Sequence, residues 1–153
     1  MGRPTRKATD SNTSSVEALG VPSKEDVAAA IARARTAQQA WAQKTPAERA
    51  AVVLKARDVV LKRQDDVVAT VIRETGKPPA DAVSMEIFAS CDVMTFYAKN
   101  AEKFLSVEKR PVHGLMGMIK TLRVAYKPLG VVGIITPWNG PFILSMNPTT
   151  QAL

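Results

Sequence analysis

The sequence predicts an α/β fold in which a layer of amphipathic helices precedes the first strands of a parallel sheet. Over residues 23–104, apolar side chains recur at helical spacing between clear start and stop signals. Near residue 120 the period changes to two, and residues 129–135 are then continuously apolar, as in a strand covered on both faces. A loop and a helix start follow, so we expect a ligand site beyond the carboxyl end of this strand.

Composition limits the classes of partner. The 153 residues carry a net charge of +7, but acidic side chains are interleaved throughout, so no basic face for nucleic acid is indicated. One cysteine and one histidine leave no internal disulfide and no Cys/His metal cluster. The uncharged stretch 128–153 is broken by Pro and Gly and cannot span a membrane. We therefore expect no nucleic-acid, metal or membrane partner, and a reducing, cytoplasmic setting.

Two domain parts are predicted. Residues 1–20 are rich in Ser, Thr, Asn and Arg and have too few apolar side chains to offset the entropy of ordering, which predicts a flexible polar tail. Residues 21–153 remain as the folded part.

The first two helical stretches begin at capping signals. The segment Ser23–Asp26 is a capping-box start, and the helix that follows is expected to run to about Gln43, with one apolar face. The segment Thr45–Glu48 repeats the signal with Pro at the first helical position, and this second stretch runs to Gly76. Its thirty residues are long for one helix, so a restart at Gln64 stays open.

A third helix is predicted from Pro79 to about Phe104. Its expected inward face comprises Val83, Ile87, Cys91, Met94 and Ala98. After a loop, apolar and polar residues alternate in Leu122–Tyr126, which predicts a half-solvated strand. The continuously apolar segment Leu129–Ile135 predicts the buried parallel strand, and a further helix is expected from Pro141.

Residues 128–139 resemble the strand-and-loop signature of the aldehyde dehydrogenase superfamily. The first helix up to Trp41, the segment Pro46–Arg49 and the segment Glu74–Pro78 resemble further family motifs in the family's order, so that the resemblance covers about residues 17–153. It implies an N-terminal helical layer plus the first strand or strands of an incomplete, Rossmann-like cofactor domain.

The resemblance also implies an activity: oxidation of a small-molecule aldehyde to a carboxylic acid with NAD or NADP, through a cysteine thioester. The family's nucleophilic cysteine and general-base glutamate would follow Leu153. We therefore expect an N-terminal portion of such an enzyme that is inactive alone, belongs to a homo-oligomer and uses residues 119–127 as an oligomerisation strand. The alternative is a catalytically dead, truncated paralogue that acts by binding a full-length subunit.

Five site residues follow from the resemblance. Asn139 matches the family's oxyanion-stabilising asparagine, whose amide donates without titrating. The alternative for Asn139 is a cap of the following helix. The residues matching the stretch on the nicotinamide side of the cofactor are Ile135, Thr136, Pro137 and Trp138. For these four, the alternative is a strand end with a core Trp.

Other reactive residues are expected to be structural. Cys91 lies on the apolar helix face, outside the family's cysteine motif, and is expected to be buried filler. Glu74 matches a motif near a helix end, and His113 lies in a loop. Two departures concern the pocket: Gly140 stands where many members carry an aromatic residue, and Pro148 is expected to interrupt the last helix.

Overall fold

The computed structural model describes residues 22–153, which form helices, one π-helical turn and a two-stranded antiparallel ribbon. The predicted tail, residues 1–20, lies outside the described residues. Helix α1 spans Lys24–Trp41 and α2 spans Pro46–Lys62. These bounds confirm both predicted helix starts.

Reciprocal capping boxes begin these two helices. The backbone N–H of Ser23 donates to the Asp26 carboxylate at 3.0 Å, and the N–H of Asp26 donates back to the Ser23 hydroxyl at 3.1 Å. Thr45 and Glu48 make the same pair of bonds at 2.7 and 3.2 Å. Each box satisfies donors that the first helical turn leaves free. Nevertheless, α1 has no side chain buried against the rest of residues 22–153.

The long second stretch does divide where the sequence left a restart open. Helix α2 ends at Lys62, Arg63 leaves the helical region with φ −110° and ψ 21°, and α3 spans Gln64–Thr75. Gly76 then closes α3 in the left-handed region, with φ +70°, where a residue without a Cβ meets no steric penalty.

A third, longer helical unit follows in three parts. A single α-turn, α4, spans Pro79–Asp81, a π-helical turn spans Ala82–Phe88, and α5 spans Ala89–Leu105. Helix α2 packs on α5, and the buried apolar side chains in the described residues come from α2, α3, the π-helical turn and α5. They are Val53, Val71, Ala82, Ile87, Cys91 and Met94.

The π-helical turn changes which residues face inward. Ile87, Cys91 and Met94 are buried as predicted, and Ala98 is half-buried, but Val83 is 46% exposed, so its predicted inward position is wrong. In a π-turn the residue aligned with Ile87 is five positions earlier rather than four. That residue is Ala82, which is fully buried.

A short ribbon replaces the first part of the predicted sheet. Strand β1, Glu108–Arg110, pairs antiparallel with β2, Leu122–Val124, and Glu108 lies opposite Val124. A 3₁₀ segment, Gly114–Met118, lies between them. The predicted strand at residues 122–126 is confirmed in its first three residues.

The predicted buried strand Leu129–Ile135 is wrong for this structure. Residues 129–135 have no strand partner among residues 22–153, and Leu129 and Ile135 are 89% and 101% exposed. A parallel strand exists only through hydrogen bonds to neighbouring strands, and β1 and β2 are paired with each other. The apolar composition of residues 129–135 suits a buried strand. Burial would require neighbouring strands, and residues 22–153 contain none that pair with this segment.

Helix α6 spans Ile143–Ala152 and packs against α5 and the π-helical turn. The expectation that Pro148 interrupts it is also wrong, because the helix continues through this residue. Proline removes the one hydrogen bond to the Leu144 carbonyl, and packing on α5 holds the remaining turns together.

Candidate active site

All five predicted site residues lie in one loop between the extended segment 129–135 and α6. Ile135 and Trp138 are 101% and 80% exposed, Pro137 and Asn139 are also exposed, and Thr136 is half-buried. The five residues are therefore neighbours in one largely exposed loop. Their roles toward cofactor and oxyanion stay predictions. We call residues 135–140 the Asn139 loop.

Hydrogen bonds between hydroxyl groups connect the beginning of the Asn139 loop to α6. The Thr136 and Ser145 hydroxyl oxygens are 3.1 Å apart, and the Ser145 hydroxyl donates to the Pro141 carbonyl at 2.6 Å. Because Ser145 has a single hydroxyl proton, which it gives to Pro141, Thr136 is the donor in the first bond. These two hydrogen bonds link Thr136, near the start of the loop, through Ser145 of α6 to Pro141, directly after the loop.

At the other end of the loop, Gly140 packs closely against the first turn of α6. It is buried, and its carbonyl accepts the N–H of Leu144 at 2.9 Å. A Cβ atom at this position would lie 3.0 Å from Cδ1 of Leu144 and 3.3 Å from Cγ2 of Ile143. The space that an aromatic side chain would need at position 140 is thus occupied by the first turn of α6.

A buried carboxylate, Glu86, holds the start of α6. Glu86 belongs to the π-helical turn and is 0% exposed. Its Oε2 accepts the N–H groups of Phe142 and Ile143 at 3.1 and 3.0 Å, and its Oε1 accepts from the Lys77 ammonium. Glu86 therefore supplies the cap that Phe142, the N-cap residue without a polar side chain, cannot supply.

The pKa of Glu86 reflects opposing effects. Burial raises the pKa, but the hydrogen bonds from Lys77, Ile143 and Phe142, together with the Lys77 charge, outweigh burial and leave the pKa below its ordinary value. The group is therefore a carboxylate at neutral pH. A negative charge at this position also complements the positive end of the α6 dipole.

The alternative role of Asn139 as a helix cap does not match its position. Phe142 is the N-cap residue of α6, and Asn139 lies three residues earlier in an exposed turn. Asn139 is accordingly an exposed residue of this turn, between Thr136 and Gly140.

The other reactive residues lie where the sequence places them. Cys91 is buried, and burial raises the pKa of its thiol, with smaller and opposed effects of Arg57 and Asp58. A buried neutral thiol is a poor nucleophile. Glu74 is exposed near the end of α3 beside Arg73, and His113 is exposed in the residue before the 3₁₀ segment.

Sequence reasoning missed Glu86 and its partner Lys77. A sequence pattern could have revealed Glu86. It is the one charged residue in a series spaced four apart, as on one face of a helix, whose other members are small or apolar: Ala82, Ser90 and Met94. A charged residue among such neighbours at helical spacing indicates a buried, partnered carboxylate. Lys77 stood in the quoted Glu74–Pro78 motif without an assigned contact.

Residues 22–153 lack the side-chain groups of a metal site and the helix of a membrane span. No group of three or more His, Cys, Asp or Glu side chains in this range is placed to hold a metal ion. Within the same range, no helix combines the length and the apolar composition needed to cross a membrane.

Comparison with known proteins agrees with the arrangement of helices and loop. A sequence profile of the aldehyde dehydrogenase family matches residues 6–153. A Mycolicibacterium smegmatis protein named "Putative succinate-semialdehyde dehydrogenase [NADP(+)]" is 42% identical over 136 residues, which are 88% of this chain and 26% of that protein. A similarly named Mycobacterium tuberculosis protein, numbered 2, is 35% identical over 155 residues, covering 99% of this chain and 29% of its own length.

A solved structure supports the fold independently. The structure of Gox0499, reported for insights into cofactor and substrate selection, superposes with a TM-score of 0.76 at 24% identity. The superposition covers 86% of this chain and 28% of the Gox0499 chain.

The helical layer, the ribbon and the loop before α6 correspond to part of a larger α/β fold. The chain belongs to the aldehyde dehydrogenase family. It spans between a quarter and a third of the length of the curated relatives it matches.

Proposed function

We propose that this chain is the N-terminal portion of an NAD(P)-dependent enzyme that oxidises an aldehyde to a carboxylic acid through a cysteine thioester. Asn139 is the residue of this chain that takes part in the chemistry. When a thiolate adds to the aldehyde carbon, the carbonyl oxygen gains negative charge, and the Asn139 amide donates a hydrogen bond to it. The amide does not itself titrate, so this donor is present at every working pH.

The observation that carries the proposal is the presentation of Asn139. Its side chain is exposed in a turn that is fastened on one side by Thr136 and on the other by Gly140. A turn whose two ends are held before the reaction reduces the reorganisation needed to bring a donor to the developing charge. Membership of the aldehyde dehydrogenase family supports aldehyde oxidation as the reaction in which this amide takes part.

The proposal also assigns the nicotinamide cofactor to the same loop. Ile135 and Trp138 offer exposed apolar surface, which suits one face of a planar ring. When bound, NAD(P) accepts the hydride. The names of the two mycobacterial relatives favour NADP as the cofactor and succinic semialdehyde as the first substrate to test.

The test uses the complete protein that contains this chain. Asn139→Ala should lower kcat by about 10²–10³, the usual cost of one oxyanion donor, while cofactor affinity stays nearly unchanged. Trp138→Ala should weaken cofactor binding first. Asn100→Ala is the matched control, because it also removes an amide, one that donates to the Phe96 carbonyl within its own helix at 2.8 Å. Equal loss of cofactor affinity in the Asn139 and Trp138 variants would contradict the assigned roles.

A second candidate function rests on exposed apolar side chains near the ribbon. Within residues 119–127, Ile119 is 73% exposed, Leu122 is 50% exposed and Tyr126 is 60% exposed. Such a surface favours docking onto another protein. The candidate is a catalytically dead paralogue that binds a full-length subunit through residues 119–127, and homo-oligomerisation of the complete enzyme would use the same surface.

Catalysis separates the two candidates. The complete protein should turn over aldehyde if the first holds. Under the second, the chain should bind a full-length family member without adding activity.

A further inference from the structure

The carboxylate of Glu86 connects distant parts of the chain. It comes from the π-helical turn, its partner Lys77 comes from the link after α3, and the N–H groups that it accepts belong to residues 142 and 143. A fully buried charge is costly unless every lone pair finds a donor. Here both oxygens are engaged, so the arrangement is specific in geometry as well as in charge.

The bonds of Glu86 fix the point at which the chain leaves the Asn139 loop and enters α6. Phe142 lies three residues after Asn139. On the N-terminal side of Phe142, the next hydrogen bond runs from the Leu144 N–H to the Gly140 carbonyl, at 2.9 Å, and belongs to the same turn. A shift of this turn would therefore be transmitted to the Asn139 amide through two intervening residues.

The charge is needed as well as the shape. A glutamine at position 86 could still accept the two backbone N–H groups with its amide oxygen. Its NH₂ group would then face the Lys77 ammonium, donor against donor, and no geometry would satisfy both the helix start and Lys77. The site thus discriminates between a carboxylate and its neutral isostere.

We propose that Glu86, held by Lys77, is a positioning residue for Asn139: by capping α6 it sets where the Asn139 amide stands. The part of the proposal that concerns α6 is independent of the reaction. The part that concerns catalysis rests on the proposed oxyanion role of Asn139. Glu86 acts through α6 and touches neither substrate nor cofactor.

The first experiment measures amide hydrogen exchange at Phe142 and Ile143 in the complete protein, without substrate. Glu86→Gln and Lys77→Met should each accelerate exchange at both amides by about 10-fold or more, because charge-assisted bonds protect them. Lys77→Arg should retain the protection of both amides, since it keeps the positive charge. Glu102→Gln, at an exposed glutamate of α5, is the matched control and should change neither rate.

The second experiment uses kinetics. Glu86→Gln should lower kcat by about 10- to 100-fold, the range expected for a misplaced catalytic group, with little change in cofactor KM. Combined with Asn139→Ala, it should add little further loss, because the misplaced amide is already absent. A general loss of structure would instead multiply the two effects.

Each result has a definite meaning. Unchanged exchange at Phe142 and Ile143 in Glu86→Gln, or kinetic losses that multiply, would overturn the proposal. If Glu86→Gln does not fold, Lys77→Met decides, because it removes the partner that holds the carboxylate, and unchanged exchange at Phe142 and Ile143 in this variant would overturn the proposal. A complete protein without dehydrogenase activity would overturn the proposed function, whereas the exchange measurement would still decide the positioning of α6.

Discussion

The exposed apolar side chains around the ribbon make self-association the clearest expectation for the 153-residue chain alone. Burying a Leu or Ile side chain contributes about 1.5–3 kcal/mol. Ile119 is 73% exposed and Leu129 is 89% exposed, so most of this contribution is still available to each of them. Together they can add about 3 kcal/mol to association, which corresponds to about 100-fold in a dissociation constant.

The perturbation is the double replacement Ile119→Lys and Leu129→Lys. It should weaken self-association by about 100-fold or more, since the lysines also repel each other across the contact. Light scattering coupled to size-exclusion chromatography, repeated over a range of concentrations, measures the change. The control is Val59→Lys with Val83→Lys, which places the same charges on half-exposed apolar positions of the helices.

Thermal unfolding is the companion measurement. The chain should be helical by circular dichroism and should lack a cooperative transition, because two short strands do not form an independent sheet. A monodisperse monomer with a sharp two-state melt would refute this reasoning, and would establish residues 21–153 as a self-sufficient domain.

Three further predictions concern the loop and its supports. Gly140→Phe should destabilise the complete protein by about 1–3 kcal/mol in urea unfolding, and Leu144→Ala should recover part of the loss, whereas Gly133→Ala, where no described atom lies within 4 Å, should be tolerated. Because the pKa of Glu86 lies below its ordinary value of 4.5, its contribution to stability is present above that value and is lost as the pH falls through the lower, folded-state pKa. Urea midpoints measured from neutral to acidic pH should therefore fall more steeply in the wild type than in Glu86→Gln. The 153-residue chain alone should produce no NADH or NADPH from aldehyde, and Cys91→Ala should leave that result unchanged, so activity that survives this replacement after rigorous purification would contradict the proposed division of the enzyme.

The helix starts could be predicted because their causes are local. Ser23 and Asp26, like Thr45 and Glu48, bond to each other across three residues, so the sequence contains the whole device. The restart at Gln64 could be left open for the same reason.

The strand at residues 129–135 shows the limit of such reasoning. Its apolar side chains describe the surroundings that the segment suits, but strand formation depends on partners elsewhere in the chain. Residues 22–153 supply none, and Ile135 is fully exposed in consequence. The fold class was nevertheless predictable, because the order of motifs does not depend on completed pairing.

The cap on the start of α6 depends on the π-helical turn rather than on a local motif. An α-turn would place Val83 under Ile87, whereas the π-turn places Ala82 there and buries Glu86 beside it. Losing one residue from this turn would rotate Glu86 by about 100° relative to α5, away from the start of α6. The irregular turn in the third helical unit is thus a requirement of the cap on α6, which explains why a regular helical pattern predicted the element but placed Val83 incorrectly.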